Sequence, residues 1–168
     1  MELWDLYDEN RVPTGKTHIR GQELPAGFYH LVVHVWIRNS RGEYLISQRN
    51  ASRPVFPLLW ECVGGSALKG EDSLTAALRE TKEEIGVTLS PGNGTISYTK
   101  IGRVINGVRS TDILDAWLFS YDGEVSLSQA TTDEVAQVRW MSREEIREFY
   151  ESGQLVHTLA YFFDQIGR

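Results

Sequence analysis

The stretch GGSALKGEDSLTAALRETKEEIGV, residues 64–87, decides the fold of this chain. Near its end stand three carboxylates, Glu80, Glu83 and Glu84, at the spacings i, i+3 and i+4. On an α-helix these spacings place the three side chains on one face, where each like-charge pair costs roughly 0.2–0.5 kcal/mol. A hard cation that prefers oxygen ligands, such as Mg²⁺ or Mn²⁺, would turn that repulsion into coordination.

The same stretch contains signals for both ends of the helix. Asp72 or Ser73 can cap its N-terminus, and Gly86 stands where a glycine commonly ends a helix. Between them, apolar or small residues recur at the helical period and predict a stripe facing the core, namely Leu74, Ala77, Leu78, Thr81 and Ile85. We therefore expect an amphipathic helix whose opposite side is a charged outer ridge.

A glycine-rich loop precedes the helix. Gly64, Gly65 and Gly70 permit positive φ and close approach of the backbone to a phosphate or a metal ion. From Gly65 onward the chain closely resembles the signature of the Nudix hydrolase family, G-x5-E-x7-R-E-U-x-E-E-x-G-U, where U is bulky and apolar. Thr81 stands at the first U, so we expect slightly weaker packing there and no loss of chemistry. A plain amphipathic helix with an acidic face would not explain the loop glycines or Glu71.

The Nudix resemblance implies an activity and a set of site residues. It implies hydrolysis of a diphosphate linkage in a nucleoside diphosphate joined to another group, with Mg²⁺ or Mn²⁺ bridging the carboxylates and the substrate. Carried over onto this chain, the metal ligands are Glu80, Glu83, Glu84 and the carbonyl group of Gly65. Arg79 and Glu71 are expected to orient the site through charge-assisted hydrogen bonds.

More than one residue fits the roles of catalytic base and substrate contact. The base is left open between the helix glutamates, Glu80 and Glu83, and Glu134, which resembles an acidic residue before the last strand but fits a solvated loop acid equally well. Arg49 resembles the second member of a Gln-Arg pair common in the family and is a candidate substrate contact. Phe28 and Tyr29 are the candidate base-stacking aromatics.

Composition bounds the remaining possibilities. A chain of 168 residues with 41% hydrophobic content suits a single domain over residues 1–168. A net charge of −6 argues against a nucleic-acid or anionic-membrane surface, and no apolar run approaches the ~20 residues that cross a bilayer. The start of the chain lacks signal-peptide features, and Cys62 is the single cysteine, which suits a reducing compartment. We expect a cytoplasmic protein with a small-molecule diphosphate substrate; homodimers, common in the family, are left open.

Local patterns predict the other elements. Residues 1–28 are expected to form a short strand, Leu3 to Tyr7, followed by a linker or lid from Thr17 to Phe28. The predicted later elements are a hairpin of Leu31 to Ile37 with Tyr44 to Ser47, a second hairpin around Asn106-Gly107, a strand Val135 to Met141, a capped helix Arg143 to Glu151 and a last helix Leu155 to Ile166. They predict an α+β fold, a mixed β-sheet between helices, which is also the α/β/α sandwich implied by the Nudix resemblance.

Two other functions fit parts of the pattern. Isopentenyl-diphosphate isomerase shares the Nudix fold, and His30 stands where that enzyme has a metal-binding histidine. The isomerase's catalytic cysteine would align near Gly64, however, and Ser66 replaces a second metal-binding histidine. A non-catalytic Nudix domain that senses a ligand is the other alternative, but such domains tend to lose motif glutamates, and this chain keeps all of them.

Overall fold

The computed structural model describes all 168 residues. The three α-helices are α1 (Ser73–Ile85), α2 (Arg143–Glu151) and α3 (Phe162–Gln165). The eleven strands are β1 (Leu3–Tyr7), β2 (Pro13–Ile19), β3 (His30–Arg38), β4 (Tyr44–Arg49), β5 (Trp60–Glu61), β6 (Val63–Ser66), β7 (Gly94–Ile101), β8 (Val104–Ile105), β9 (Val108–Arg109), β10 (Asp112–Ser120) and β11 (Val135–Met141). None of the helices is long and apolar enough to span a lipid bilayer.

A mixed seven-stranded sheet forms the centre of the molecule. Its main path runs β11-β4-β3-β10-β7, with β5 paired to β4 and β6 paired to β3. Only β3 and β10 are parallel, and every other pairing is antiparallel. The sheet and its flanking helices confirm the predicted α+β fold.

The predicted hairpin of β3 and β4 forms, but its strands diverge after one pair. They pair only at Arg38 and Tyr44, next to the turn. Beyond that point β5 pairs with β4, and β6 pairs with β3. The segment that leads to the glycine loop therefore fills the opening between β3 and β4. Gly64 and Gly65 thereby become part of the sheet, opposite His34 and Val33.

Alternation along β3 divides the interior into two hydrophobic cores. Val33, Val35 and Ile37 face helix α1 and pack with its buried residues, which include Ala77 and Ile85. On the opposite face, the buried residues form a second core with the C-terminal segment, including Trp36, Ala116, Leu159, Phe162 and Phe163. The sheet therefore has helix α1 on one side and the C-terminal elements on the other, as in a three-layer sandwich.

The N-terminal region differs from the prediction. Residues 17–19, expected to open a linker, belong to β2, and Thr17 and His18 pair with Asp5 and Trp4 of β1. The sequence did not predict this strand because β2 is largely exposed and polar. It therefore lacks the apolar alternation that marks a half-buried strand. Arg11, in the turn between the two strands, forms an ion pair with the fully buried Asp115 of β10 and ties the hairpin to the sheet.

The last helix is much shorter than the predicted range of Leu155 to Ile166. The backbone of residues 154–156 is extended and exchanges hydrogen bonds with Trp60, which prevents helical pairing there. A short 3₁₀ turn follows at His157–Leu159, and only Phe162–Gln165 is α-helical. By contrast, α2 begins and ends as predicted, with the capping box of Ser142 and Glu145.

Candidate active site

Helix α1 has the caps that its sequence predicts. The carboxylate of Asp72 accepts a hydrogen bond from the backbone N–H of Thr75 at 2.7 Å. At the other end Gly86 adopts the left-handed conformation, with φ 72°, and its N–H donates to the carbonyl group of Lys82. These caps fix the register of the helix, and hence the directions of its three glutamates.

Glu84 does not lie on a solvated ridge, as the sequence suggested. It is only 6% exposed. The reason is its position at i+7 from Ala77 and i+3 from Thr81, both of which are fully buried on the inward face. Burial, together with repulsion from Glu80, Glu61 and Glu134, raises the pKa of Glu84 well above its ordinary value. No protein donor forms a hydrogen bond or ion pair with this carboxylate, and the nearby charge of Arg53 offsets only part of the repulsion.

Arg79 joins the loop to the helix. Its guanidinium donates to both carboxylate oxygens of Glu71, at 2.7 and 3.0 Å, and to the carbonyl group of Ser66 at 3.1 Å. Its Nη1 donates to Glu80 and Glu83 at 3.0 and 3.1 Å. Although burial opposes it, these bonds to Arg79 lower the pKa of Glu71. The arginine thus holds two of the three helix carboxylates and the loop acid in fixed positions.

Gly65 and Glu80 are in close contact. A Cβ atom built on Gly65 would lie 2.2 Å from Oε1 of Glu80, so any larger residue would collide with the carboxylate. The pKa of Glu80 rises to about 7, because burial and the nearby Glu83 and Glu134 outweigh the attraction of Arg79. Glycine at position 65 therefore leaves room for the Glu80 carboxylate directly beside the backbone.

Replacing Gly65 with alanine should therefore impair the site more than the fold. The new methyl group pushes the Glu80 carboxylate away from Arg79, and we expect the kcat/KM of the site to fall about 10- to 100-fold, the range typical of residues that support the groups of a site from behind. Gly92→Ala is the matched control, since a Cβ at Gly92 meets nothing within 4 Å. Equal kcat/KM values for Gly65→Ala and wild type would contradict this reading of the contact.

Two further ion pairs stand beside Glu84: one joins the end of β4 to β5, and the other joins the β4–β5 loop to the residue before β11. Arg49 donates from Nη1 to Glu61 at 2.7 Å, and Arg53 lies 3.1 Å from Glu134. Glu61 was missed by the sequence analysis. Burial raises its pKa, although Arg49 opposes the shift, and its charge acts on Glu84. The available signal was a charged residue inside the otherwise apolar run LLWECV, residues 58–63.

The two candidate stacking aromatics differ in exposure. Tyr29 is 9% exposed and belongs to the core beneath α1, so the structure does not offer its ring to a substrate base. Phe28 is half-buried, with the Nζ atom of Lys16 4.9 Å from its ring centroid. Neither residue is joined by a hydrogen bond or ion pair to the helix glutamates.

The features expected of an isomerase are not assembled. His30 is a residue at the start of β3 whose ring stacks on Trp4 with centroids 4.0 Å apart. Burial lowers its pKa to about 4. Cys62 is buried in the second core, and burial raises the pKa of its thiol well above the ordinary value. A buried, protonated thiol is a poor nucleophile or acid, so Cys62 is a structural residue.

Comparisons with known proteins agree with this geometry. The model of the NUDIX domain matches residues 28–163. An uncharacterised Nudix hydrolase of Listeria innocua is 42% identical over 164 residues, covering 97% of this chain and 91% of that protein. An isopentenyl-diphosphate Delta-isomerase of Citrobacter koseri is 26% identical over 146 residues, covering 84% of this chain and 77% of the isomerase.

Structural similarity supports the fold independently. A crystal structure of a Deinococcus radiodurans protein superposes with a TM-score of 0.72 at 22% identity, covering 92% of both chains. At that identity the likeness shows the shared fold alone. The match to the domain model goes further, because residues 28–163 include the glycine loop, helix α1 and the whole seven-stranded sheet. On these grounds the chain belongs to the Nudix hydrolase family.

Proposed function

We propose that this protein hydrolyses a diphosphate linkage in a nucleoside diphosphate joined to another group, and that it requires a divalent cation. Membership of the family makes it an enzyme of the pyrophosphohydrolase class. To this enzyme class the proposal adds the requirement for a divalent cation and the class of substrate. The observation that carries it is Glu84, a buried carboxylate with no donor from the protein.

The residues around Glu84 fit a hard divalent cation. They offer carboxylate oxygens, the ligands that Mg²⁺ and Mn²⁺ prefer, and they repel one another without a cation. As the side chains are placed here, no three His, Cys, Asp or Glu residues converge closely enough to hold an ion. Arg79 holds Glu80 and Glu83 through one Nη1 atom, so binding of an ion would require these carboxylates to turn from the arginine toward a point shared with Glu84.

Each site residue has a proposed role. Glu80, Glu83, Glu84 and the carbonyl group of Gly65 would hold Mg²⁺ or Mn²⁺. When bound, the ion would neutralise the diphosphate charge and lower the pKa of the attacking water. Arg79 and Glu71 are positioning residues, because their hydrogen bonds fix Glu80 and Glu83 relative to the glycine loop.

The exposed fraction of each side chain separates the candidates for the catalytic base. The side chains of Glu83 and Glu134 are 39% and 36% exposed, so both can reach a water molecule. Glu80 is 14% exposed and held against Gly65 by Arg79, which favours a role as ligand rather than proton acceptor. Arg49 is a proposed substrate contact that must exchange its bond to Glu61 for one to a phosphate.

The test is release of phosphate or nucleotide from nucleoside triphosphates, sugar nucleotides, dinucleoside polyphosphates and coenzyme diphosphates, with Mg²⁺ or Mn²⁺ at mildly alkaline pH. We expect metal-dependent turnover of one class, reduced at least about 100-fold in Glu83→Gln, since such electrostatic contacts contribute 10²–10³ in rate. Glu148→Gln, an exposed acid on α2, is the matched control. Binding without turnover would indicate a sensor domain. Isopentenyl diphosphate is assayed beside this panel, and its conversion would indicate an isomerase.

A further inference from the structure

A strip of the central sheet is only partly covered on the face opposite α1. Its half-buried residues are His30, Val32 and His34 of β3 and Gly64 and Ser66 of β6. The pairings of Val32 with Ser66 and of His34 with Gly64 place these residues on one face of the sheet. Farther along β3, Trp36 is fully buried in the second core with the C-terminal segment. The open strip therefore begins where that cover ends.

The ring of His34 has a fixed orientation in the open strip. Its Nδ1 atom lies 2.7 Å from the hydroxyl oxygen of Tyr161, and the same oxygen accepts the indole N–H of Trp36 at 2.9 Å. The hydroxyl group of Tyr161 has no other acceptor, so its proton is donated to Nδ1 of His34. Burial lowers the pKa of His34 to about 3, so the ring is neutral near pH 7. The single ring proton is therefore on Nε2, which makes Nε2 a hydrogen-bond donor.

This donor has no partner within the protein. Nε2 of His34 forms no hydrogen bond and is accessible to solvent, and the same holds for the hydroxyl group of Ser66. The ring atom bonded to Nε2 is Cδ2, which lies 3.1 Å from a Cβ atom built on Gly64, so this edge of the ring faces β6. A neutral N–H donor and a hydroxyl group therefore stand on either side of the bare backbone of Gly64, next to the apolar side chain of Val32.

The open strip suits an uncharged polar group better than an anion. The positive charge that acts on His34 belongs to Arg103, which is already paired with Asp112 at 2.6 Å. A phosphate on the strip would lose water without gaining a free cation, which is unfavourable. The edge of a nucleobase instead offers carbonyl oxygens and ring nitrogens that accept from N–H and hydroxyl donors, and its faces are apolar enough to lie against Val32.

Only backbone separates the open strip from the glutamates of α1. Gly64 belongs to the strip, whereas Gly65 faces Glu80 on the other side of the sheet, and neither glycine has a side chain that could block the way. Strand β6 pairs with β3 along one edge and with no strand along the other. A substrate lying across this unpaired edge can have its diphosphate at Gly65 and its base over Gly64 and His34, one strand spacing of about 4.8 Å farther in.

We propose that the open strip binds the nucleobase of the substrate, whose edge accepts a hydrogen bond from Nε2 of His34 and pairs with the hydroxyl group of Ser66. His34 is then a residue that determines specificity, and Tyr161 is a positioning residue that keeps the ring proton on Nε2. This assignment rests on the proposed function, because it takes the substrate to be a derivative of a nucleoside diphosphate.

The test uses uncharged probes without a divalent cation, so that neither turnover nor repulsion by the helix glutamates affects it. ¹⁵N-labelled protein is titrated with adenosine, guanosine, cytidine and uridine, and with D-ribose as the probe that lacks a base. Before any addition, the imidazole ¹⁵N signals should show the proton of His34 on Nε2. We expect at least one nucleoside to shift that Nε2 signal and the amide signals of Gly64 and Ser66, and ribose to leave them unchanged.

The variant His34→Asn separates the donor from the contact with Tyr161. Asparagine can keep an acceptor oxygen near the position of Nδ1, but it has no donor at the position of Nε2. We expect the Kd for the bound nucleoside to rise about 3- to 10-fold, the range of one neutral hydrogen bond. His157→Asn, the same exchange at an exposed histidine, is the matched control and should leave the Kd unchanged.

Four results would each overturn the nucleobase site: a proton on Nδ1 of His34, no shift with any nucleoside, equal shifts with ribose, or the same Kd in His34→Asn and wild type. The first three are measured on the wild-type protein, so they hold even if His34→Asn does not fold. Turnover of the substrate panel judges the hydrolase separately. A nucleoside bound at His34 without hydrolysis would reject only the proposed function, and hydrolysis without these shifts would reject only the nucleobase site.

Discussion

Replacing Glu84 with glutamine should stabilise the metal-free protein and at the same time reduce metal-dependent hydrolysis by about 10²–10³-fold. The carboxylate is buried and receives no donor from the protein, so its ionised form lowers the stability of the fold. Glutamine has nearly the same shape and no charge. At pH 8 without metal we expect the free energy of unfolding to rise by about 1–2 kcal/mol, measured by urea denaturation.

The raised pKa values of the buried glutamates determine whether the free energy of unfolding rises or falls with pH. The folded-state pKa values of Glu80 and Glu84 are both raised, that of Glu80 from 4.5 to about 7. The contribution of Glu80 is therefore fully present below pH 4.5 and is lost as the pH rises through about 7, and the contribution of Glu84 is lost in the same direction, as the pH rises. For Glu80 the loss is on the order of 3 kcal/mol. Asp112 and Asp115, whose pKa values are lowered, titrate below this range.

Below about pH 6.5 the lowered pKa values of His30 and His34 act in the opposite direction, because these rings stay neutral in the fold and gain a proton when the chain unfolds. Between about pH 6.5 and 8 the metal-free wild type should therefore become less stable, and Glu84→Gln should show a smaller decline. Under the proposed function Mg²⁺ should restore stability mainly at the upper end of this range, because it would bind the ionised carboxylates. Glu148→Gln should behave as wild type throughout, since that side chain is exposed. A Glu84→Gln protein that is less stable than wild type at pH 8, or that keeps full activity, would contradict the role assigned to Glu84.

Local signals in the sequence determined much of what was predicted correctly. The caps of α1, the capping box of α2 and the turn at Asn106-Gly107 each depend on residues close together in the chain. In that turn Asn106 and Gly107 have φ values of 51° and 77°, the positive pair that a tight hairpin requires. Such features form wherever the local residues favour them, so one sequence is enough to find them.

The parts that were missed depend on contacts between distant segments. Glu61 meets Arg49 only because β5 pairs with β4, and its effect on Glu84 depends on how α1 packs. The last helix is interrupted because residues 154–156 bind the backbone of Trp60, almost a hundred positions earlier in the chain. Glu84 is a different case. Its i+7 spacing from Ala77 was visible in the sequence, but the charge of the residue suggested an outward position.

Arg11 and Asp115 illustrate how a remote contact supports the site. The guanidinium donates to both carboxylate oxygens, at 2.7 and 2.5 Å, and Thr99 donates to the same carboxylate at 2.9 Å. Arg11 adopts a positive φ of 63° to reach it, a conformation that costs a non-glycine residue free energy. The ion pair holds the β1–β2 hairpin against the sheet. Arg20 directly follows β2 at the end of this hairpin, and the charges of Glu80 and Glu134 act on the Arg20 guanidinium.

Replacing Asp115 with alanine should lower the free energy of unfolding by about 3 kcal/mol, as measured by urea denaturation. Asp115 is fully buried, and removing one partner of a buried ion pair costs about 3–5 kcal/mol; the lower end applies because Arg11 is one-third exposed and can turn to water. Asp115→Asn keeps an acceptor for Thr99 or Arg11 and should lose about half as much. Asp164→Ala, at an exposed position, is the control and should remain within about 0.5 kcal/mol of wild type. If Asp115→Ala unfolds with the same midpoint and slope as that control, the ion pair does not hold the hairpin to the sheet.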